Sequence, residues 1–407
     1  MRRAPLSRRE FLDLAARSGL ALGGCALLPS GAGALFGSEA SKELAALAGQ
    51  APVARFWAPV SSVGCAECHT PAELAKGGKP KHAAGLLQCQ LCAHRCVLAD
   101  GERGRCRARV NVGGELRSLS YGRPLAEHVD PIEKKPFFHF LPGSEAYSLG
   151  TAGCPLACRF CQNWEISQAK PEDYPVEPRA PEATVARALA AHAPVVAFTY
   201  NEPTVFVEYL LDVARAARAA GLRPVLVSCG FMNEAPLAEM IAALDAIKID
   251  LKGFDPEFYR KVSGAELAPV LRSIGQIAKA GRHLELVNLV VPTLNDSARN
   301  LAELAAWVAG ELGPDVPLHF TRFHPDYQLL HLPPTPVATL ERARATAMAK
   351  GLRYVYVGNV PGHPGNHTYC PGCGKIVVER SGMFTTAIRM TAGACAACGT
   401  RIAGVWS

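Results

Sequence analysis

Short apolar runs alternate with helical stretches from about residue 146 to residue 357. The runs are rich in β-branched residues and predict strands at 146–150, 195–199, 224–227, 246–251, 284–291, 318–323 and 353–357. Between them, apolar residues recur at helical spacing and predict helices at 182–192, 204–220, 234–244, 267–280, 296–312 and 336–350. Alternation of strands and helices predicts a parallel sheet with crossover helices.

We therefore expect an α/β fold, a partial (β/α) barrel of about six units over residues 140–358, with its reactive groups on the loops that follow the strands. A doubly wound open sheet is the structural alternative. A chain of 407 residues can bury one large core with small satellites. Two satellites are predicted from composition, a Cys-rich metal-binding module at 60–120 and a second metal-bound module at 366–407.

Cysteine usage points to metal chemistry. The chain has 15 cysteines, and most of them lie in groups in which neighbouring cysteines have only two or three residues between them. This spacing suits metal ligands better than disulfides in a chain of this size. Cys25 and Cys229 stand alone. The net charge of +7 is modest and lies partly in N-terminal arginines, so we expect no nucleic-acid partner.

A three-cysteine loop follows the first predicted barrel strand. Residues 151–164 place Cys154, Cys158 and Cys161 in a C-x3-C-x2-C pattern. Three thiolates can hold three irons of a [4Fe-4S] cluster and leave the fourth iron open. S-adenosylmethionine can chelate an open iron, which places its sulfonium where one electron breaks the bond to the 5′-deoxyadenosyl group. Zinc, the alternative, would want a fourth ligand, which no nearby Cys or His supplies in sequence.

The loop, the preceding four-cysteine group and several segments together carry a family resemblance. The segments are Asp130–Pro136, Thr199–Thr204, Lys248–Lys252, Val291–Asp296, Phe320–Tyr327 and Val357–Gly362. Over about residues 86–375 the chain resembles the AmmeMemoRadiSam-system radical SAM enzymes, within the group of pyruvate formate-lyase-activating-enzyme-like proteins.

The resemblance implies roles for six residues beside the cysteines. Phe160 would shield the cluster on the side that faces the adenosyl group. Asn201 and Glu202 would match the end of a Gly-Gly-Glu segment, with Glu202 accepting hydrogen bonds from the ammonium of S-adenosylmethionine. Asp250 and Lys252 would lie near its ribose and carboxylate, and His324 near its carboxylate. For Asp250 and Lys252 a structural ion pair is the alternative, and for His324 a surface position.

One departure from the family pattern concerns a cation site. The resembled activases have an acidic residue a few positions before the Gly-Phe that is Gly230-Phe231 here, where this chain has Val227, Ser228 and Cys229. A cation site completed by that carboxylate is therefore not expected, and Cys229 is interpreted as a small buried residue.

Two further cysteine groups have the layout of closed metal sites. Cys89, Cys92, Cys96 and Cys106 can complete a tetrahedron around a structural zinc or hold an auxiliary iron-sulfur cluster. His94 inside this group is interpreted as a spectator. Near the C-terminus, the pairs Cys370/Cys373 and Cys395/Cys398 have the layout of a zinc ribbon.

A third pattern is ambiguous. Cys65, Cys68 and His69 form C-x-x-C-H, the attachment pattern of c-type haem, whose attachment takes place outside the cytoplasm. The segment before Cys89 is too short to enclose a haem, so a zinc ligand pair or an accidental pattern is the alternative.

The N-terminus resembles an export signal. Residues 7–12 match a twin-arginine signal, a short apolar stretch follows, and residues 1–34 are assigned to the signal segment. Cleavage after Ala34 or lipidation of Cys25 would follow, and membrane contact is expected only through this segment. Export to the periplasm or membrane anchoring is the predicted location. The cytoplasmic supply of S-adenosylmethionine and low-potential electrons favours the alternative, a cytoplasmic enzyme.

The sequence thus predicts a radical SAM enzyme that takes one electron from a donor and removes hydrogen from a protein or small-molecule substrate. The resemblance implies AMMECR-like and MEMO-like partners. The alternative is an exported electron-transfer or metal-scaffold protein, which requires a fourth protein ligand on the cluster and no binding of S-adenosylmethionine.

Overall fold

The runs predicted as barrel strands lie side by side in one sheet in the computed structural model, which describes residues 39–62 and 85–407. Residues Glu43–Ser407 form one compact unit. Each predicted strand and helix is found within three residues of its expected bounds.

The strands, in chain order, are β1 (Trp57–Pro59), β2 (Leu87–Cys89), β3 (Val97–Leu98), β4 (Arg109–Val112), β5 (Glu115–Ser118), β6 (Ala126–Pro131), β7 (Glu145–Gly150), β8 (Val195–Phe198), β9 (Arg223–Ser228), β10 (Ala246–Asp250), β11 (His283–Val290), β12 (Leu318–Arg322), β13 (Val355–Gly358), β14 (Thr368–Tyr369), β15 (Ile376–Ser381), β16 (Phe384–Ile388), β17 (Met390–Thr391) and β18 (Ala394–Cys395). The α-helices are α1 (Glu39–Gln50), α2 (Trp164–Ser167), α3 (Pro181–Ala190), α4 (Val207–Ala219), α5 (Glu234–Ala243), α6 (Pro256–Phe258), α7 (Leu267–Lys279), α8 (Ala298–Leu312) and α9 (Val337–Ala349).

The central sheet follows the order of the chain. Strands β7 to β13 are parallel neighbours in sequence order, and β6 adds an antiparallel strand beside β7. A doubly wound sheet would reverse its strand order at a switch point, and this sheet does not. Because β6 and β13 are its two edges, the sheet is open, and the predicted partial barrel is confirmed.

Alternating side chains give the sheet two different faces. The outer face is apolar: Leu149, Phe198, Ile247 and Phe320 belong to one core with buried residues of the crossover helices. The inner face carries polar residues, and its register places Lys248 of β10 beside Val227 and Glu285 on the neighbouring strands. The inner-face side chains therefore do not pack against the crossover helices, and they surround a central space.

Residues 132–141 fill one end of that space and are called the plug. Ile132, Phe137 and Phe140 of the plug pack with small inner-face residues at the strand starts, which are Ala146, Val195, Ala197, Val225 and Ala246. The plug was not predicted from sequence. The partial barrel is thus closed near the starts of its strands and open near their ends.

A buried carboxylate fixes the plug. Glu285 is fully buried and accepts hydrogen bonds from the backbone N–H of Phe138 at 3.0 Å and of His139 at 2.8 Å. Its oxygens also contact Nε2 of His283 at 2.9 Å and Nε2 of His319 at 2.8 Å. Burial would raise the pKa of Glu285, but the two histidines outweigh it and hold that pKa well below its ordinary value.

The N-terminal part of the unit shares the barrel core. Within the range predicted as a metal-held module, Leu87, Leu91, Leu98 and Leu116 pack into the same core as the barrel strands. Arg109, also buried, forms an ion pair with Glu208 of α4. The described part of this segment is therefore held by apolar burial as well as by any metal that it binds.

The C-terminal segment packs on the edge of the sheet and on the plug. Tyr354 and Tyr356 at β13 share an apolar cluster with Phe138 and with Cys370, Cys395 and Ile402. Val405 pairs with Phe140, and Nδ1 of His139 contacts the carbonyl of Ala403 at 2.5 Å. The antiparallel strands β14 to β16 form a small sheet in this segment.

Several sequence predictions lie outside the described residues. These are the signal segment at 1–34, the lipidation site Cys25, and the C-x-x-C-H pattern of Cys65, Cys68 and His69. Among the helices of the described residues, none has the length and apolar character needed to cross a membrane.

Replacing Glu285 with Ala should lower the free energy of unfolding by about 3–5 kcal/mol, because two plug amides and two histidines lose their shared buried acceptor. Urea unfolding of the metal-loaded protein measures this. Glu303→Ala is the control, since Glu303 forms only an exposed ion pair with Arg299 and should change stability by at most about 0.5 kcal/mol. Equal losses in the two variants would contradict this role of Glu285.

Candidate active site

The three-cysteine loop is clamped from several sides. It leaves the end of β7, and the amide of Asn201 donates to the carbonyl of Gly153 at 2.7 Å. The backbone N–H of Ala157 donates to Ser263 at 2.9 Å, and that of Arg159 donates to Val262 at 3.0 Å. These acceptors lie in a π-helical turn, Tyr259–Ser263, after α6. The backbone that carries the cysteines is therefore set by neighbouring loops.

Gly153 allows a close approach between this loop and the four-cysteine segment. Its φ is +98°, and a Cβ at this position would lie 2.3 Å from the carbonyl oxygen of Cys106. Glycine adopts such a φ without strain and has no Cβ to collide. The cysteine loop thus rests directly on the segment that contains Cys106.

The thiols of the loop suit a metal cluster. Cys158 is buried, and Cys154 and Cys161 are partly buried. Burial raises the pKa of Cys154 well above its ordinary value and that of Cys158 to about 11, although Lys252 opposes the second shift. Neighbouring thiols of this kind become thiolates when a cationic metal centre binds them, and a trio of thiolates fits a [4Fe-4S] cluster.

One cavity of about 800 Å³ brings the predicted site residues together. Its lining includes all three loop cysteines and all six residues expected to contact S-adenosylmethionine, which are Cys154, Cys158, Cys161, Phe160, Asn201, Glu202, Asp250, Lys252 and His324. A volume of this size is typical of small-molecule sites. The structure shows their common location, and their individual roles stay predictions.

Glu202 is held by internal donors. Its Oε1 accepts from the Thr204 hydroxyl at 2.5 Å and from the Ser228 hydroxyl at 2.7 Å, and its Oε2 accepts from the backbone N–H of Cys229 at 2.7 Å. Asn201, by contrast, uses its amide to bind the start of the cysteine loop. Each carboxylate oxygen has two lone pairs, so Oε2 of Glu202 can accept one further bond from a ligand.

Asp250 lies between two lysines. Its Oδ1 is 2.9 Å from Nζ of Lys248, and its Oδ2 is 3.3 Å from Nζ of Lys252. Burial would raise the pKa of Asp250, but the two ammonium groups lower it to about 2. The ion pair considered from sequence is present, and both Asp250 and Lys252 also face the cavity.

Phe160 and His324 differ in burial, although both line the cavity. Phe160 is buried, stacks on Phe258 with ring centres 6.2 Å apart, and lies 5.7 Å below Nζ of Lys252. His324 is exposed and lines the cavity after β12. Cys229 is buried, in agreement with its interpretation as a small core residue.

The four-cysteine group Cys89, Cys92, Cys96 and Cys106 lies against the barrel. Burial raises the pKa of Cys92 well above its ordinary value, and the charges of the other three thiols raise it further. The amide of Asn233 donates to the carbonyl of Cys92 at 2.9 Å. Both ring nitrogens of His94 have protein partners, the carbonyl of Pro155 at 2.9 Å and Arg105 at 3.1 Å, as expected of a spectator.

The C-terminal cysteines form a compact group that could hold one metal ion. The four sulfurs of Cys370, Cys373, Cys395 and Cys398 all lie within 4.8 Å of one another. The pair Cys370/Cys398 is 3.5 Å apart and the pair Cys373/Cys395 is 3.8 Å apart. Four sulfurs at the usual Zn–S bond length of about 2.3 Å would be about 3.8 Å apart in a tetrahedron.

Sequence reasoning missed part of the cavity wall. Lys135, Lys248 and Arg322 line the cavity, as do Gly382 and Met383 from the turn between β15 and β16. Both lysines stand in segments that carried the family resemblance, but nothing local to them indicated that they face one space. The contribution of the C-terminal turn depends on tertiary packing and has no sequence signal.

Comparison with known proteins assigns the family. The family model of the radical SAM superfamily matches residues 148–305, which span the cysteine loop and the strands that surround the cavity. The chain belongs to the radical SAM superfamily. Membership implies a [4Fe-4S] cluster and S-adenosylmethionine as cofactors, and it implies an enzyme.

Three curated relatives are similar to this radical SAM protein. An uncharacterized Methanocaldococcus jannaschii protein, MJ0808, is 44% identical over 294 residues, which cover 72% of this chain and 87% of that protein. The Listeria monocytogenes pyruvate formate-lyase-activating enzyme is 24% identical over 171 residues, 38% of this chain and 66% of that enzyme. The Klebsiella oxytoca (2S)-3-sulfopropanediol dehydratase activating enzyme is 25% identical over 113 residues, 28% and 36% of the two chains.

Replacing Gly153 with Ala should lower the iron bound per chain by about half or more after anaerobic reconstitution, because the new Cβ meets the Cys106 carbonyl and the positive φ is strained. Iron analysis with absorbance spectroscopy measures this. Gly275→Ala in α7 is the matched control, since nothing lies within 4 Å of a Cβ there, and it should bind iron like the wild type. Full iron content in Gly153→Ala would show that the close approach of Gly153 to Cys106 is not needed for cluster binding.

Proposed function

We propose that the protein cleaves S-adenosylmethionine reductively and uses the 5′-deoxyadenosyl radical to abstract hydrogen from a substrate. The shared cavity of the three loop cysteines and the six predicted contact residues carries this proposal. When bound, the cluster would supply one electron and an open iron for chelation of S-adenosylmethionine.

The residues of the chain would bind and orient S-adenosylmethionine. Lys252, paired with Asp250, would offer its ammonium to the carboxylate of the ligand, and exposed His324 lines the same cavity. Glu202 keeps an acceptor site on Oε2 for the ligand ammonium. The Phe160 ring, buried against Phe258, would shield a bound cluster on the side that faces the adenosyl group.

We further propose a protein or small-molecule substrate and a separate one-electron donor. Activating-enzyme-like radical SAM proteins use a substrate and an electron donor, and two of the relatives carry activating-enzyme names. The resemblance to the AmmeMemoRadiSam system supports AMMECR-like and MEMO-like partners.

Zinc in a C-terminal ribbon is supported by the sulfur distances of 3.5 and 3.8 Å. For the four-cysteine group we propose either a zinc ion or a second iron-sulfur cluster, held by Cys89, Cys92, Cys96 and Cys106. For the C-x-x-C-H pattern of Cys65, Cys68 and His69 we propose haem, with zinc or an accidental pattern as the alternative. Metal analysis of the purified protein distinguishes these possibilities.

Cys158→Ala should abolish formation of 5′-deoxyadenosine and methionine, because the two remaining thiolates cannot hold a cluster that has one open iron. The assay is anaerobic reconstitution of the full chain followed by a reductant and S-adenosylmethionine. Glu303→Ala, which changes an exposed residue of α8 outside the cavity lining, is the control and should keep the wild-type iron content and both products. Products from Cys158→Ala, or none from the iron-loaded wild type, would contradict the proposed reaction.

We also propose export through the twin-arginine pathway, supported by residues 7–12 alone. A fusion of the full N-terminal segment to a reporter that functions only after such export should be active. Arg8→Lys together with Arg9→Lys should abolish that activity, because the pathway recognises the arginine pair. A reporter that is indifferent to the double change would favour a cytoplasmic enzyme.

A further inference from the structure

Two carboxylates near the cavity, those of Asp130 and Asp250, are each shared by two lysines. Asp130 lies 2.7 Å from Nζ of Lys134 and 2.7 Å from Nζ of Lys135. Asp250 is shared by Lys248 and Lys252 in the same manner. Each of these Lys–Asp–Lys groups therefore carries two positive charges and one negative charge, and all four lysines line the cavity.

Lys135 and Lys248 are the most buried of the four lysines that share these carboxylates. The side chains of Lys135 and Lys248 are 3% and 5% exposed. Burial lowers the pKa of both groups, and each lies close enough for its charge to act on that of a neighbouring lysine. A buried ammonium that shares its nearest carboxylate with a second lysine is stabilised when a further anion pairs with it.

A third cation lies on the same cavity. The guanidinium of Arg322 donates through Nε to the carbonyl of Thr335 at 2.8 Å and forms no ion pair within residues 39–62 and 85–407. The acidic residues of the lining do not balance these cations. Glu133 faces buried Arg380 at 3.9 Å, and Glu202 is engaged near the cysteine loop.

The cavity is also bounded on the side away from the cysteine loop. The plug residue Phe138 lines it from within the barrel, and the turn at Gly382–Met383 lines it from the C-terminal segment. Asn366 donates to the carbonyl of Gly382 at 2.6 Å and fixes that turn. The space is thus bounded at this end, and its volume of about 800 Å³ suits small molecules.

We propose that this cavity binds, beside S-adenosylmethionine, a small substrate with a carboxylate or phosphate group that is held by Lys135, Lys248 and Arg322. The inference rests on the proposed function, because Lys252, His324 and Glu202 are assigned there to S-adenosylmethionine. Lysine and arginine are the usual protein partners of carboxylate and phosphate oxygens. The anionic group completes the pairing of the shared lysines.

The test is calorimetric titration of the reconstituted full-length protein under anaerobic conditions and constant ionic strength, with and without S-adenosylmethionine. The probes are inorganic phosphate, malonate and malonamide, a neutral analogue of malonate. At least one dianion should bind with at least tenfold higher affinity than malonamide. Tighter binding of phosphate or of malonate identifies the group that the site prefers. Equal, weak binding of all three probes would overturn the proposal.

Variants locate the binding. Lys135→Met, which keeps the length of the side chain and removes its charge, should weaken binding of the preferred dianion at least tenfold. Arg322→Gln, at a partly exposed position, should weaken it at least threefold even if Lys135→Met fails to fold. Lys350→Met, at an exposed lysine after α9, is the control and should stay within twofold of the wild type. Wild-type affinity in both folded Lys135→Met and Arg322→Gln would overturn the proposal.

The two proposals fail separately. A protein that cleaves S-adenosylmethionine but does not bind dianions keeps the proposed function and loses this inference. A protein that binds dianions through Lys135 but does not cleave S-adenosylmethionine has an anion site and loses the proposed reaction.

Discussion

The division of the central sheet into an apolar outer face and a polar inner face is the constraint on which the rest depends. Burial of side chains such as Phe198, Ile247 and Phe320 under the crossover helices supplies the apolar area that stabilises the sheet. The inner face can then carry charge, but a buried charge persists only with partners. The inner-face carboxylates of Asp250 and Glu285 meet this condition with lysines and histidines as partners.

These charged groups also connect the parts of the molecule. Glu285 binds the plug, and the plug residues Phe138 and Phe140 contact the C-terminal segment. At the other end of the cavity, the cysteine loop rests on the four-cysteine segment through Gly153 and Cys106. The flanking segments therefore form the walls and supports of the active site.

Features encoded locally could be predicted from sequence. Periodicity located the strands and helices of the barrel, and short spacings located the cysteine groups. The plug could not be predicted, because Glu285, which holds the backbone of Phe138, is 147 residues away in the chain. The ion pair of Asp250 with Lys252 was considered from sequence, but the roles of Lys135 and Lys248 in the cavity wall were not predicted. Their meaning depends on a common cavity that only the folded sheet creates.

The central claim is that three thiolates leave one iron open to S-adenosylmethionine. Electron paramagnetic resonance of the reduced, reconstituted protein, recorded before and after addition of S-adenosylmethionine, tests this most directly. The wild-type protein should give a cluster signal whose g-values change on addition of the ligand, and a protein without the Cys158 thiol should not show that change. A signal unaffected by saturating S-adenosylmethionine, or the absence of iron from the cysteine loop, would contradict it.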